Sequence, residues 1–225
     1  TKGIGHTEFK DSPVGKIPVG WEVVTMNDSS VQVLDGDRGK EYPKEKDFFQ
    51  NGYCLFLSAK NVTKNGFRFD ECSFISKEKD EKLRKGRLSR GDIVITTRGT
   101  VGNMAYFDNS VLYDVVRINS GMAIIRNEGE LLDRNYLFHL MRAPVVNEQL
   151  ELLTFGSAQP QLTIGVINSL KLPLPPLPEQ QKIASILSSM DSHIEEKQRK
   201  LEQTQSLKKS LMQDLLTGKV RVTVN

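Results

Sequence analysis

Between Glu179 and Thr217 the chain contains neither proline nor glycine, and directly before that stretch stands LPLPPLP, residues 172 to 178. Restricted φ angles make the proline run an extended, semi-rigid spacer, whereas the segment after it is compatible with one uninterrupted helix. Pro178 suits the first helical position, Glu179 complements the positive end of the helix macrodipole, and Gly218 is a natural left-handed terminator. The interval of about 38 residues predicts roughly 57 Å of helix.

An alternating four-three spacing visits Ile183, Leu187, Met190, Ile194, Lys197, Leu201, Thr204, Lys208, Leu211 and Leu215. It reads as a coiled-coil seam with a polar middle, its interface carried by Ile183, Leu187, Met190, Ile194, Leu201, Leu211 and Leu215. A helix cannot bury such a stripe in its own turns, so a partner helix is expected alongside it. Folding back over the rest of the chain is disfavoured, because the stripe outreaches a compact diameter of about 35 to 40 Å. Acids and bases along this helix balance, with Glu195–Arg199 and Glu196–Lys200 spaced as i,i+4 pairs, which suits a strut better than a reader of DNA.

The remaining residues have a different character. A chain of 225 residues with 38% hydrophobic content can bury a sizeable core. From about residue 20 to 128, short runs such as WEVVTM, YCLFLS, DIVITT, NMAYF and GMAIIR recur between turn signals and predict strands. At DRNYLFHLMR, residues 133 to 142, the period changes to helical with Asp133 as N-cap, and Pro144 opens a second helix through Leu152. The expected fold class is α/β: a mixed, strand-rich globular domain followed by a single long C-terminal coiled-coil α-helix. The expected segments are an N-terminal linker at 1–20, a globular strand-rich domain at 21–171, a proline-rich connector at 172–178, the helix at 179–217 and a tail at 218–225.

A net charge of +3 permits an anionic partner without demanding one, so the distribution must decide. KLRKGRLSRGD gathers Lys82, Arg84, Lys85, Arg87 and Arg90 with no acid before Asp92, enough to neutralise several phosphates. TTRGTVGNMAYF, residues 96 to 107, ends a strand in a loop where Gly99 and Gly102 admit close backbone approach and Arg98, Thr100 and Asn103 supply donors. GSAQPQL offers Ser157, Gln159 and Gln161 on a polar loop, and FLSAKNVTKNGF offers Ser58, Lys60 and Asn61, with Asn65-Gly66 closing a hairpin. Each loop read alone is equally an ordinary polar turn.

Several classes are disfavoured. No run approaches the roughly 20 apolar residues of a membrane span, and the first residues lack a signal-peptide core, so the expected compartment is the cytoplasm. Cys54 and Cys72 are too few for a metal knuckle or disulfide framework. His6, His139 and His193 share no metal or triad spacing, and Arg90-Gly91-Asp92 carries no adhesive function in such a compartment. There is no glycine-rich cofactor loop with an Asn/Asp-Pro-Pro-aromatic motif and no Walker loop. Asp191, Glu195, Glu196 and Lys197 imitate a nuclease cluster by composition only. The chain is expected to be non-catalytic and to hold no cofactor.

GKIPVGWEVV, LSRGDIVITTRGTVGNMAYF, GSAQPQLTIGVINSLKLPLPPLPEQQKIASILSSMD and SLMQDLLTGKV together resemble the specificity subunit of type I restriction-modification systems, over nearly the whole chain. The passage from the proline run into the helix is the most specific part. The resemblance implies a target-recognition domain with an α/β fold, followed by a helix that spaces two such domains and docks methyltransferase subunits. It further implies double-stranded DNA as ligand, a second spacer helix or a second copy of the chain as helical partner, and a restriction subunit in the full complex. S-adenosylmethionine and ATP would then belong to those partners. Ser58, Lys60, Asn61, Arg98, Thr100, Asn103, Ser157, Gln159 and Gln161 become candidates for the DNA-facing surface, while the five cations from Lys82 to Arg90 are assigned to phosphates from charge alone. Full-length members resemble two tandem copies, and Thr1-Lys2-Gly3 echoes Thr217-Gly218-Lys219, so the chain is expected to be the second domain and second helix of a longer protein. Rival expectations are a coiled-coil adaptor with a protein-binding head, and a recognition module from a fused methyltransferase-nuclease.

Overall fold

The chain divides into two compact units, one up to Gln181 and one from Lys182 onward. A computed structural model describes residues 5–154 and 161–223. In the first unit, β1 (Phe9–Ser12) and β2 (Gly15–Pro18) form a hairpin, followed by β3 (Glu22–Thr25) and β4 (Val31–Asp35). Next come β5 (Cys54–Phe56), the small hairpin of β6 (Val62–Thr63) and β7 (Gly66–Phe67), then β8 (Phe74–Ile75) and the short helix α1 (Lys77–Lys82). Strands β9 (Asp92–Thr96), β10 (Met104–Phe107), β11 (Val116–Arg117) and β12 (Met122–Asn127) precede α2 (Arg134–Met141), α3 (Pro144–Thr154) and α4 (Ile164–Asn168). Strand β13 (Lys171–Leu174) leads into α5 (Leu177–Leu216).

The main sheet is antiparallel in the order β10-β9-β12-β4, and a three-stranded sheet β11-β5-β8 contains the parallel pair β11/β5. Leu55, Leu57 and Val116 join Val94, Phe107 and Ile124 in one buried cluster, so both sheets contribute to the same core. The central strands are covered on both faces, which is why residues 93–95 and 122–125 are continuous apolar runs rather than alternating ones. Each fully buried Leu, Ile or Phe here contributes about 1.5–3 kcal/mol of transfer free energy.

The proline run differs from expectation. Instead of standing free as a spacer from residue 172, β13 pairs antiparallel with β3, matching Leu172 to Val24 and Pro173 to Val23. The extended φ that proline enforces is also that of a strand, and a two-stranded ladder leaves an outer side where the missing N–H is harmless. Residues 9–18, within the segment expected as a linker, form the β1/β2 hairpin.

The first turn of α5 belongs to the globular unit. The Pro176 carbonyl accepts from the N–H groups of Glu179 and Gln180 at 2.9 and 3.1 Å. Glu179 receives His6 Nε2 at 2.6 Å on one oxygen and Trp21 Nε1 at 3.0 Å on the other. Gln180 is buried: its oxygen accepts from the Asp133 N–H at 2.8 Å, and its nitrogen donates to the Leu131 and Pro175 carbonyls at 3.0 and 2.9 Å.

The second unit holds the rest of α5. The helix has 40 residues, about 60 Å of rise. It ends at Gly218, whose φ of +72° would strain any side chain-bearing residue, with the Gly218 N–H on the Leu215 carbonyl and the Val220 N–H on the Asp214 carbonyl. Leu187, Met190, Ile194, Leu201, Leu211 and Leu215 are 41% to 65% exposed, and Ile183 is half-buried.

Replacing Gln180 by alanine strands one N–H and two carbonyls in a buried site. Gln180→Ala is therefore expected to lose about 2–4 kcal/mol of unfolding free energy. Urea titration should show a lower midpoint with an unchanged slope; a loss below about 0.5 kcal/mol would remove the clamp from the account of stability.

Candidate nucleic-acid interface

Three loops of the globular unit converge beside the end of β9. Residues 97–103 join β9 to β10, and Gly99 and Gly102 take φ values of +74° and +87° with nothing within 4 Å of where a Cβ would stand. Glycine is required there by backbone conformation, and the outer face is open. The N–H groups of Thr97 and Arg98 both donate to the Gly121 carbonyl, the Leu162 N–H donates to the Thr97 carbonyl at 3.0 Å, and Asn103 Nδ2 donates to the Val62 carbonyl at 3.1 Å. These bonds tie the strand-end loop to the segments at 62 and at 162. Beside them opens a cleft of about 710 Å³, lined among others by Lys64, Gly99, Gly102, Asn103, Arg142 and Asn147.

The polar residues at this cluster fall into two sets. Asn61 is buried, accepts from the Ser58 N–H and hydroxyl at 2.9 and 3.0 Å, and donates to the carbonyls of Arg68 and Glu71 at 3.0 and 2.8 Å. Its carboxamide, like the Asn103 amide, holds a loop in shape. Arg98, Thr100 and Gln161 are exposed. With the Gln161 amide oriented so that its oxygen faces the guanidinium, Arg98 donates through Nε and Nη2 at 3.1 and 3.0 Å. Lys60 is exposed and pairs with Glu71. Ser157 and Gln159 lie outside the described residues. Lys64, Arg142 and Asn147 were not singled out by sequence; they reach the cleft from β6–β7 and from the region of α2 and α3, and no local motif marks them.

The basic segment is held by a different set of bonds. Lys82, Arg84, Lys85 and Arg87 are exposed. Arg90 is half-buried and lies over the Phe107 ring at 4.3 Å, donating to the carbonyls of Asp108, Val111 and Tyr113 and to the Asp114 carboxylate. Its guanidinium organises the 108–114 loop. Asp92 receives Arg126 in a bidentate pair at 2.9 and 2.7 Å and caps the Ser89 N–H, which gives Arg90-Gly91-Asp92 a structural reading.

Beneath the segment, Arg117 and Asp80 form a buried ion pair; Arg87 approaches the other Asp80 oxygen at 3.4 Å. Asp37, also buried, accepts from the Gly39 N–H at 2.7 Å and the Arg84 N–H at 2.8 Å. Burial alone would raise the Asp37 carboxyl, but the N–H groups of Gly39, Arg84 and Lys85 together with the Arg84 charge outweigh it and hold the group below the usual carboxylate range. Cys54, buried near Asp80, is pushed up to about 12, first by burial and then by that carboxylate, so it is an unreactive thiol. Among the described residues no group of His, Cys, Asp and Glu is arranged to hold a metal ion, and no helix is long and apolar enough to cross a membrane.

A strand-built unit with a loop cluster and a basic segment is continued in sequence by a long amphipathic helix, and this combination has a family counterpart. Residues 18–204 match the family described as the type I restriction modification DNA specificity domain, and the chain belongs to that family. It is similar to the type I restriction enzyme MjaVIII specificity subunit of Methanocaldococcus jannaschii, 34% identical over 99% of this chain and 52% of that protein. The chain thus spans about half the length of this relative. Among solved structures, a chain from a study of type I R-M system assembly aligns with a TM-score of 0.64 at 20% identity over 91% of this chain and 47% of its own. The HsdS subunit of Thermoanaerobacter tengcongensis aligns with a TM-score of 0.58 at 19% identity over 85% and 42%. These structural likenesses concern the fold, a mixed strand-rich unit with a long C-terminal helix.

The Asp37 carboxyl titrates lower folded than unfolded, so the stability it contributes is fully present above the unfolded value, about 4, and is lost as pH falls through the folded one. Asp37→Asn should accordingly be less stable than the wild type at neutral pH, with the gap closing below about pH 4. Denaturation curves at a series of pH values test this, and a gap that stays constant down to about pH 2 would assign the effect to something other than ionisation.

Proposed function

We propose that the globular unit reads one half of a divided DNA target and that α5, paired with a second helix, sets the distance between the halves. The chain itself is non-catalytic in this reading. It works in the cytoplasm with methyltransferase subunits and, in the full assembly, a restriction subunit, which use S-adenosylmethionine and ATP. The observation that carries the reading is the family match, which runs from β2 through most of α5 and so embraces recognition unit and helix as one domain.

The geometry refines the roles. Arg98, Thr100 and Gln161 are exposed and suit base or sugar contacts, Arg98 as a bidentate donor to guanine through the guanidinium edge that Gln161 leaves open, and Gln161 as the group that orients it. Lys64, Arg142 and Asn147 add cations and an amide at the neighbouring cleft. Ser58, Asn61 and Asn103 support the loops from behind, and Lys60 stands at the rim. Lys82, Arg84, Lys85 and Arg87 contact phosphates, which fixes position without carrying sequence information. Arg90, with its donors turned onto the 108–114 loop and its charge paired with Asp114, shapes the neighbouring loop rather than contacting phosphate. On α5 the exposed seam from Leu187 to Leu215 supplies the apolar face that a second helix covers.

Co-expression with a cognate methyltransferase subunit tests the whole reading. The expected result is copurification and methylation confined to one two-part sequence; methylation of host DNA unaltered by the chain would reject it. For the phosphate contacts, Lys82→Ala with Lys85→Ala should weaken binding on all duplex sequences alike and reduce the salt slope by about two. An unchanged slope would remove both residues from the contact. For the helix, the chain alone should sediment as a dimer through an isologous seam at micromolar concentration, and Leu187→Asp with Ile194→Asp should return it to a monomer. A wild-type monomer under those conditions would count against helix pairing.

A further inference from the structure

The backbone of the basic segment is bonded at almost every position from 83 to 88, and the bonding groups are charged side chains from elsewhere in the unit as well as strand backbone. Arg117 Nη2 donates to the Asp80 and Leu83 carbonyls at 2.9 and 3.1 Å, and its Nη1 donates to the Lys85 carbonyl at 2.7 Å. Arg126 donates to the Arg87 carbonyl at 3.1 Å while its charge is met by Asp92. Asp37 accepts the Arg84 N–H. The Ile118 N–H donates to the Gly86 carbonyl, and the Leu88 N–H donates to the Val116 carbonyl. Gly86 has a φ of +87°, and a Cβ there would meet Ile118 and the Gly36 backbone at 3.2 and 3.3 Å.

A buried ion pair such as Arg117 with Asp80 is weak evidence for stability, since desolvation offsets much of the attraction. It is strong evidence for shape, because Arg117 fixes two carbonyls of the segment, at Leu83 and Lys85, and ties them to the Asp80 carbonyl of α1. Arg84, Lys85 and Arg87 on that segment and Lys82 at the end of α1 remain exposed. A loop already in its bound shape forfeits little conformational entropy when it meets a polyanion.

We infer that Asp37, Arg117 and Arg126 are positioning residues for phosphate binding, locking residues 83–87 in the shape that presents Lys82, Arg84, Lys85 and Arg87 together. The inference rests on the DNA-binding reading above and adds to it the residues that make the basic segment a preformed site.

Asp37→Asn gives the two accounts opposite signs. Removing a negative charge beside a cationic patch strengthens attraction to a polyanion if charge alone matters; loosening the Arg84 N–H weakens binding if position matters. Anisotropy titrations of the full chain against a random-sequence duplex of about 30 base pairs, over a range of salt, read both affinity and slope. The expected result is Kd raised about 3- to 10-fold at low salt and a slope flatter by about one. Gly86→Ala leaves every charge in place and should change both quantities in the same direction. Stoichiometric titration corrects each for its folded fraction, so a loss of stability alone leaves Kd and slope where they were. Binding by Asp37→Asn as tight as wild type or tighter, with Gly86→Ala also unchanged, overturns the positioning role while Lys82→Ala with Lys85→Ala still flattens the slope. If that double variant is also unchanged, the phosphate assignment falls with it. A wild-type chain with no salt-dependent binding rejects the DNA reading itself.

Discussion

Gln180 turns a carboxamide into the globular unit and bonds backbone groups of residues 131, 133 and 175. Beside it Glu179 holds His6 and Trp21. A helix is costly to nucleate because several residues must be fixed before the first hydrogen bond forms. Here the first turn is held by tertiary contacts that meet that cost: the β3/β13 ladder positions Pro175 and Pro176, and the two polar side chains fasten the turn to residues 6, 21, 131 and 133. From that turn the helix propagates through good helix formers until Gly218 halts it.

Much of this was legible in the sequence, and the reasons are local. Asp133 caps α2 through the Tyr136 N–H, Pro144 opens α3, Asn65-Gly66 closes the β6/β7 hairpin with Gly66 at φ +103°, and α5 ends where glycine permits a left-handed turn. Each is a signal carried by one or two neighbouring residues. β13 was not legible as a strand, because its evidence is a partner at residues 22–25, distant in sequence. α4 was missed for another reason: five residues with Gly165 among them give too little periodicity, and only the Thr163 cap on the Val166 N–H marks the start.

The basic segment shows the same division at the level of the site. Its charge can be counted from the sequence, but the destination of each guanidinium cannot. Arg90 reads as one more surface cation and is turned onto three carbonyls; Arg117, in an unremarked VVRIN run, is buried and organises the segment that Arg90 was grouped with. An arginine's long stem lets the same residue type serve either purpose, and which one it serves depends on carbonyls brought up by other strands.

The partner type matters as much as the partner's presence. Arg117 faces Asp80, Arg126 faces Asp92 and Arg90 reaches Asp114, so each of those charges is largely answered within the protein. Arg98, with the Gln161 amide turned so that its oxygen faces the guanidinium, is oriented instead by an acceptor with no net charge. Two hydrogen bonds of about 3 Å restrict its rotamers as a carboxylate would, yet the full positive charge remains to attract an anion. A carboxylate at position 161 would orient the guanidinium equally well and cancel its field. Orientation without neutralisation separates Arg98 from the arginines that serve the fold, and under the proposed reading it is the arrangement that suits contact with phosphates and base edges.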